Sequence, residues 1–348
     1  MSEATAPLAE PPAPQRILSP PPTAVLDPDT RRPLLGSYEG PLGLVDYSVL
    51  GRSLPFRIAH EKAWYYVAIA SPDIFVGAAV LRFGYVASTF AFVFERGPAG
   101  GPSGHFLADR SQLGPPFCAA YHDQDGISFR FRGQRASFQR PPDGDTFELD
   151  VALEGLRVSA RVSGALTPPP ISAIAELGEG LVHVTEKRAL LPVTGEVQVG
   201  ARRFSLDQAR AGFDRSHGYL PRRTLWRWAY AIGHTDAGDP IAINLVDGFV
   251  GEPECAVWIG DEVFPVGEAR FLFDPDRPLR PWRMRSSCGA VDLVFDPGDI
   301  HAEHQNLGLV KTRFIHPVGA FTGTVTAGGR THRLTRVLGV VENQDATW

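Results

Sequence analysis

The chain has 348 residues, 43% of them hydrophobic and 21% charged, and a formal net charge of −5. A chain of this size and composition buries a sizeable core without staples, and its acidic balance argues against a nucleic-acid partner, which calls for a basic stripe. No apolar run reaches the roughly 18 residues of a transmembrane helix, and three widely spaced cysteines with no CxxC point away from a disulfide framework or structural zinc and toward a reducing, cytoplasmic setting.

Residues 1–30 contain eight prolines, and the opening "MSEATAPLAEPPAPQ" has neither the basic end nor the apolar centre of a secretory signal. Too few large apolar side chains are present to offset the entropy of ordering, so a disordered arm is expected there. The first folded half is expected over residues 31–166, the Pro-rich stretch 167–172 as a linker, and the second half over 173–348. Three prolines in "LTPPPIS" cannot join a central strand.

Between these breaks the pattern is that of strands. "WYYVAIASPDIFVGAAVLRFGYV" begins at Trp64 and holds two apolar runs around an Asp/Pro turn. "GPAGGPSG" (97–104) lacks the strand–turn–helix setting of a dinucleotide fingerprint and reads as a loop. "ISFRFRGQRASF" sets Arg130 and Arg132 against Phe129 and Phe131 in period-two alternation, and Phe147 to Val162 alternate around a turn at Glu154-Gly155. Further turns are expected at Gly260-Asp261 and Gly328-Gly329, and one or two helical turns over Ser205–Phe213. "HVTEK" (183–187) reads as a strand. "HAEH" (301–304) has two histidines at i, i+3 spacing, but its setting is that of a solvated loop with no third metal ligand in sequence. "WAYAIGHTDAGDPIAINLVDGFV", from Trp228, echoes the stretch from Trp64, each opening with Trp-x-Tyr. The economical architecture is all-β: two tandem antiparallel β-meanders closing into barrels or half-barrels, which can hold one apolar ligand.

The densest chemistry lies in "DRSHGYLPRRTLWRWAYAIGHT" (214–235). Gly218 and Pro221 suggest a loop over 214–223, followed by a strand that carries Trp226, Trp228, Tyr230, Ile232 and His234 on one face. Such a stripe serves a barrel core or a ligand wall. Asp214, Ser216 and His217 are too close in sequence for triad geometry, and no G-x-S-x-G elbow is present. An acid at the mouth of an apolar pocket has its pKa raised by desolvation and can protonate an alkene, while aromatic faces stabilise the developing cation. Asp214 and His217 are the catalytic candidates, with Asp247 and Glu342 as further acids. Trp226, Trp228, Tyr230, His234, Asn244 and Trp282 are the ligand-binding candidates. With no P-loop, HExxH or kinase signature, neither a metal nor a cofactor is expected.

Six segments occur together and in order: "EKAWYYVAI" (61–69), "TEKRALLPVTGEV" (185–197), "DRSHGYLPRRTLWRWAYAIG", "IAINLVDG" (241–248), "RPWRMRSSCGAVDLVFDP" (280–297) and "GAFTGTVTAGG…LGVVENQDATW". Over roughly residues 30–348 this resembles the DUF2804 family, which commonly shows W-N-W where this chain has Trp226-Arg227-Trp228. The family has no established reaction to carry over. The layout also looks like two-barrel lipocalin-like proteins such as carotenoid 1,2-hydratases and certain polyketide cyclases. That likeness implies a cofactor-independent hydratase, isomerase or cyclase acting on a lipid-like or isoprenoid substrate, or alternatively a carrier or sensor of an apolar small molecule.

Overall fold

The computed structural model describes residues 17–97, 102–142, 144–306 and 311–348, with 102–111 described by their backbone. The fold is all-β, as expected. Among the described residues, two antiparallel sheets of fourteen and nine strands each curl into a half-barrel. The expected turns at 154–155, 260–261 and 328–329 all close hairpins, and Arg132-Gly133 closes that of "ISFRFRGQRASF".

The two halves differ in strand number but open and close alike. In the first, the strands Glu61–Ala70, Ile74–Phe83, Ala87–Arg96 and Pro102–Gly114 form an outward meander, and the closing strand Arg210–Tyr219 returns to pair with Glu61–Ala70. In the second, Arg223–His234, Pro240–Gly248, Ala256–Ile259 and Glu262–Pro265 run outward, and Arg330–Thr347 returns to pair with Arg223–His234. The two Trp-x-Tyr openings therefore stand on equivalent first strands.

Three boundaries differ from the sequence reading. The halves divide at residues 220–222, between Arg210–Tyr219 and Arg223–His234, and not in the Pro-rich stretch. Residues 167–172 lead from Leu156–Ser163 into Ile171–Glu176, both in the first sheet. Prolines end a strand, but they do not decide which sheet the next strand joins. Second, residues 1–16 of the expected arm lie outside the described residues, while 17–30 are anchored to the fold around Val25 and Leu26, with exposed residues on either side. Val25 and Leu26 are buried against Leu42 and Tyr47, and Val25 N–H donates to the Leu44 carbonyl at 3.0 Å. Third, Ser205–Phe213 forms no helix. Its ends join the strands Arg202–Ser205 and Arg210–Tyr219 across a turn. The one α-helix among the described residues is Leu54–His60, capped by the Ser53 hydroxyl and carrying a proline in its first turn.

Burial explains why some strands alternate and others do not. In Leu156–Ser163 one face is buried and the other exposed, and the sequence alternates accordingly. "EKAWYYVAIA" and "ASTFAFVFER" are apolar almost throughout because both faces are covered. Tyr65, Val67 and Ile69 point into the first half, while Tyr66 and Ala68 point toward the second. One apolar core fills the first half. Another fills the second and extends between the sheets.

Candidate functional site

Between the sheets lies a chamber of about 420 Å³. The first half contributes Trp64, Tyr66, Leu81, Phe83 and Phe90, and the second contributes Trp226, Trp228, Phe249, Phe314 and Trp348. The two tryptophan-bearing strands meet here. Trp64 stacks on Trp226 with ring centroids 6.0 Å apart and planes 11° apart, and Tyr66 meets Trp228 edge-on at 5.0 Å. Offset and edge-on contacts between aromatic rings are the favoured ones. The size and apolar lining suit a small-molecule site.

Ionisable side chains interrupt this aromatic surface on both walls. On the first, antiparallel register places Lys187 directly opposite Asp214, and Asp214 directly opposite Tyr66 on the next strand. Lys187 Nζ lies 2.5 Å from Asp214 Oδ1 and 3.0 Å from Glu254 Oε2, and Ser216 donates to Asp214 Oδ1 at 3.4 Å. Burial pushes the Asp214 carboxyl above its ordinary value against the pull of Lys187, and the charge of Glu342 adds to that push. Glu254 is raised by burial in the same way. Burial alone would depress the Lys187 ammonium; Asp214 and Glu254 reverse this and raise it. One ammonium neutralises one carboxylate, so the pair of acids around it holds a proton more readily than either would in water.

On the second wall, Glu342 accepts from Trp226 Nε1 at 2.5 Å through Oε1 and faces His316 Nδ1 at 3.0 Å through Oε2. The other imidazole nitrogen, Nε2, lies 3.3 Å from the Tyr66 hydroxyl across the sheet gap. His316 itself is buried among aromatic rings, including Phe92 and Phe314.

The sequence candidates separate sharply. Asp214, Glu342, Trp226 and Trp228 line the chamber. His217 does not belong with Asp214. The segment 214–219 is strand, not loop, because it is paired on both sides, and residues three apart on a strand face opposite ways. Gly218, read as a breaker, is needed inside that strand, since a Cβ there would stand 2.4 Å from the Val182 carbonyl oxygen. His217 packs on Tyr121 and Tyr47 in the first half, with Nε2 3.5 Å from Glu61 Oε1.

Tyr230 and Asn244 act behind the wall. Tyr230 stacks on Trp228 and donates to the Arg188 carbonyl at 2.8 Å, a contact open only because Gly212 has no Cβ. Asn244 accepts from Trp228 Nε1 at 2.7 Å and donates to the Glu254 carbonyl at 2.7 Å, fixing both residues. His234 is exposed at its strand end. Trp282 is buried inside the second half, stacked on Phe273 at 3.7 Å. Asp247 pairs with Arg227 and Arg270 away from the chamber. "HAEH" lies on the strand Val291–Asn306, not in a loop; His301 is buried, His304 exposed, and the two do not converge. Among the described residues, no three His, Cys, Asp or Glu side chains gather as metal ligands.

Sequence reasoning missed Lys187, Glu254, His316 and Tyr66. The only available signal was "TEKR" inside an otherwise apolar run, three consecutive charges where a strand buried on both faces leaves no solvated side.

The model of a family described as a domain of unknown function, DUF2804, matches residues 23–348. No curated protein matches the chain significantly. Among solved structures, CghA with Sch210972 is similar with a TM-score of 0.51 and 12% identity, over 83% of this chain and 89% of that one. A candidate AttH from Nitrosomonas europaea follows at 0.49 and 15%, over 86% and 96%. Kievitone hydratase from Nectria haematococca stands at 0.47 and 11%, over 84% and 90%. At such identities the likeness concerns the fold alone.

Proposed function

The chain belongs to the DUF2804 family, whose reaction is unassigned, and from that premise we propose that it binds an apolar small molecule in the chamber and acts on it by proton transfer. The class of reaction is hydration, isomerisation or cyclisation of a lipid-like or isoprenoid substrate without a cofactor. One observation carries this reading: Asp214 is buried, displaced toward its protonated form, and open to a chamber walled by aromatic rings. A protonated carboxyl beside an alkene is a competent donor, and Trp226, Trp228 and Trp64 offer π faces to the cation that results. The three thiols Cys118, Cys255 and Cys288 are free, which suits the cytoplasmic location that this reading includes.

The second reading, a carrier or sensor of the same ligand class, has its own support. Lys187 lies 2.5 Å from Asp214, and an ion pair that tight favours a fixed carboxylate over a mobile proton. Native mass spectrometry with organic extraction identifies what the purified protein holds, and farnesol serves as a defined probe of binding and water addition. Asp214→Asn is expected to lower turnover by about 10²–10⁴-fold, the range for loss of a general acid, with ligand affinity within a few-fold. Trp228→Ala is expected to weaken binding in either case. Turnover unchanged by Asp214→Asn removes Asp214 from the mechanism, and a wild-type protein that binds its ligand without any turnover favours the carrier.

A further inference from the structure

The Glu342–His316–Tyr66 chain crosses the gap between the sheets, joining a carboxylate of the second half to a phenol of the first. Glu342 is fixed by Trp226 Nε1 on one oxygen and faces His316 Nδ1 with the other. A carboxylate at that nitrogen requires the proton on Nδ1, which leaves Nε2 as an acceptor aimed at the Tyr66 hydroxyl, 3.3 Å away. Gly77 supplies the room: a Cβ at that position would stand 2.5 Å from the Tyr66 hydroxyl oxygen. Tyr66 in turn lines the chamber and sits directly opposite Asp214 in the sheet register. Side chains so opposed have Cβ atoms about 4.5–5.5 Å apart, so an acid and the end of a hydrogen-bonded chain share one small area of wall.

We infer that Tyr66, His316 and Glu342 form a proton relay serving the same chamber as Asp214, and that the pairing makes water addition the reaction of this site. This rests on the proton-transfer reading above and narrows it. Asp214 gives its proton to one carbon of a C=C bond, whose π electrons form the new C–H bond and leave the other carbon cationic. Water attacks that carbon. Its surplus proton passes to the Tyr66 oxygen as the phenol releases its own to His316 Nε2, and the Glu342 carboxylate balances the imidazolium. Asp214 ends ionised and His316 protonated, and solvent exchange restores both. Tyr66 is the catalytic member, and His316 and Glu342 position and charge-balance it.

The relay can be read without a ligand. In the full chain labelled with ¹⁵N-histidine, long-range ¹H–¹⁵N spectra are expected to show His316 with a far-downfield Nδ1 proton and an unprotonated Nε2. Tyr66→Phe moves the Nε2 resonance, and Glu342→Gln moves the Nδ1 proton upfield. A protonated Nε2, or spectra indifferent to both substitutions, overturns the relay. With farnesol in H₂¹⁸O, Tyr66→Phe is expected to cut ¹⁸O incorporation at least about 100-fold while farnesol still binds. Incorporation equal to wild type also overturns it. Should the wild-type protein leave farnesol unbound and unchanged, the function reading fails for that probe, and the spectra alone decide the relay.

Discussion

The strand pair 182–199 and 210–219 buries charge on both of its faces, and the two faces do different things with it. Neighbouring register positions set Glu186 opposite Arg215 and Lys187 opposite Asp214, so side chains one residue apart point to opposite sides. On the first-half side, Arg215 lies 3.2 Å from Glu186 and 3.4 Å from Asp123, and Arg188 holds Glu186 at 2.8 Å. Packed rings of Tyr65, Tyr121 and Tyr47 surround this cluster. On the other side, Lys187, Asp214 and Glu254 border an open chamber. A buried charge enclosed by packed side chains and opposite charges is structural. An unfilled side leaves it available to a ligand.

The comparison breaks most readily at Arg215. Replacing it with leucine leaves Glu186 buried with Arg188 as its remaining cation, and such a loss costs roughly 3–5 kcal/mol. Asp214→Asn keeps the Lys187–Glu254 pair and is expected to cost well under half of that. Urea unfolding of both variants measures the contrast. Equal losses would mean that the chamber face is as structural as the packed one.

A smaller effect, of opposite sign on the two faces, lies in the pH dependence. The Asp214 carboxyl is raised from 3.8 by burial, so the fold holds its proton more tightly than the unfolded chain does. That contribution is fully present below 3.8 and is lost as pH rises through the folded value. Glu61 is the reverse case: burial would raise it, but hydrogen bonds from His217 and Arg57 prevail and lower it from 4.5 to about 2. Its contribution is full above 4.5 and is lost as pH falls through about 2. Asp214→Asn should therefore flatten the decline in stability from about pH 4 upward, leaving the part due to Glu254. Glu61→Gln should flatten only the acid limb. Urea midpoints across pH test both, and an unaltered slope above pH 4 in Asp214→Asn would remove the proposed displacement.

Much of the fold is legible in the sequence because hairpins are local. Period-two alternation and glycine turns give the strands of Phe147–Val162 directly, and the repeated Trp-x-Tyr marks the two first strands. What closes each half is not local. The pairing of Arg210–Tyr219 with Glu61–Ala70 joins residues about 150 positions apart, and no neighbouring signal announces it. The same distance hides the site. Asp214 and Trp226 stand out in one dense segment, but Lys187, Glu254, Tyr66 and His316 come from four other segments and meet only once both sheets are curled. Charges in "TEKR" look like a solvated face until the strand is known to be covered on both sides.

His217 offers the smallest effect and the finest test of the two-face distinction. In sequence it stands three positions from Asp214, close enough to suggest one acid–base pair, yet strand parity sends it into the first half against Tyr121 and Tyr47. Its polar side-chain contact among the described residues, 3.5 Å to Glu61, is at the limit of a hydrogen bond and is replaceable, since Arg57 also holds that carboxylate at 2.7 Å. His217→Gln, whose amide can still donate to Glu61, is thus expected to cost about 1 kcal/mol and to leave farnesol affinity and turnover within twofold of wild type. Isothermal titration and the ¹⁸O assay read the two quantities separately. A large loss of turnover with binding intact would mean that protons cross the sheet between its faces, and the separation drawn from register would no longer hold. An unchanged protein places the chemistry on the Asp214 face alone, where the aromatic walls, the acid and the relay already converge.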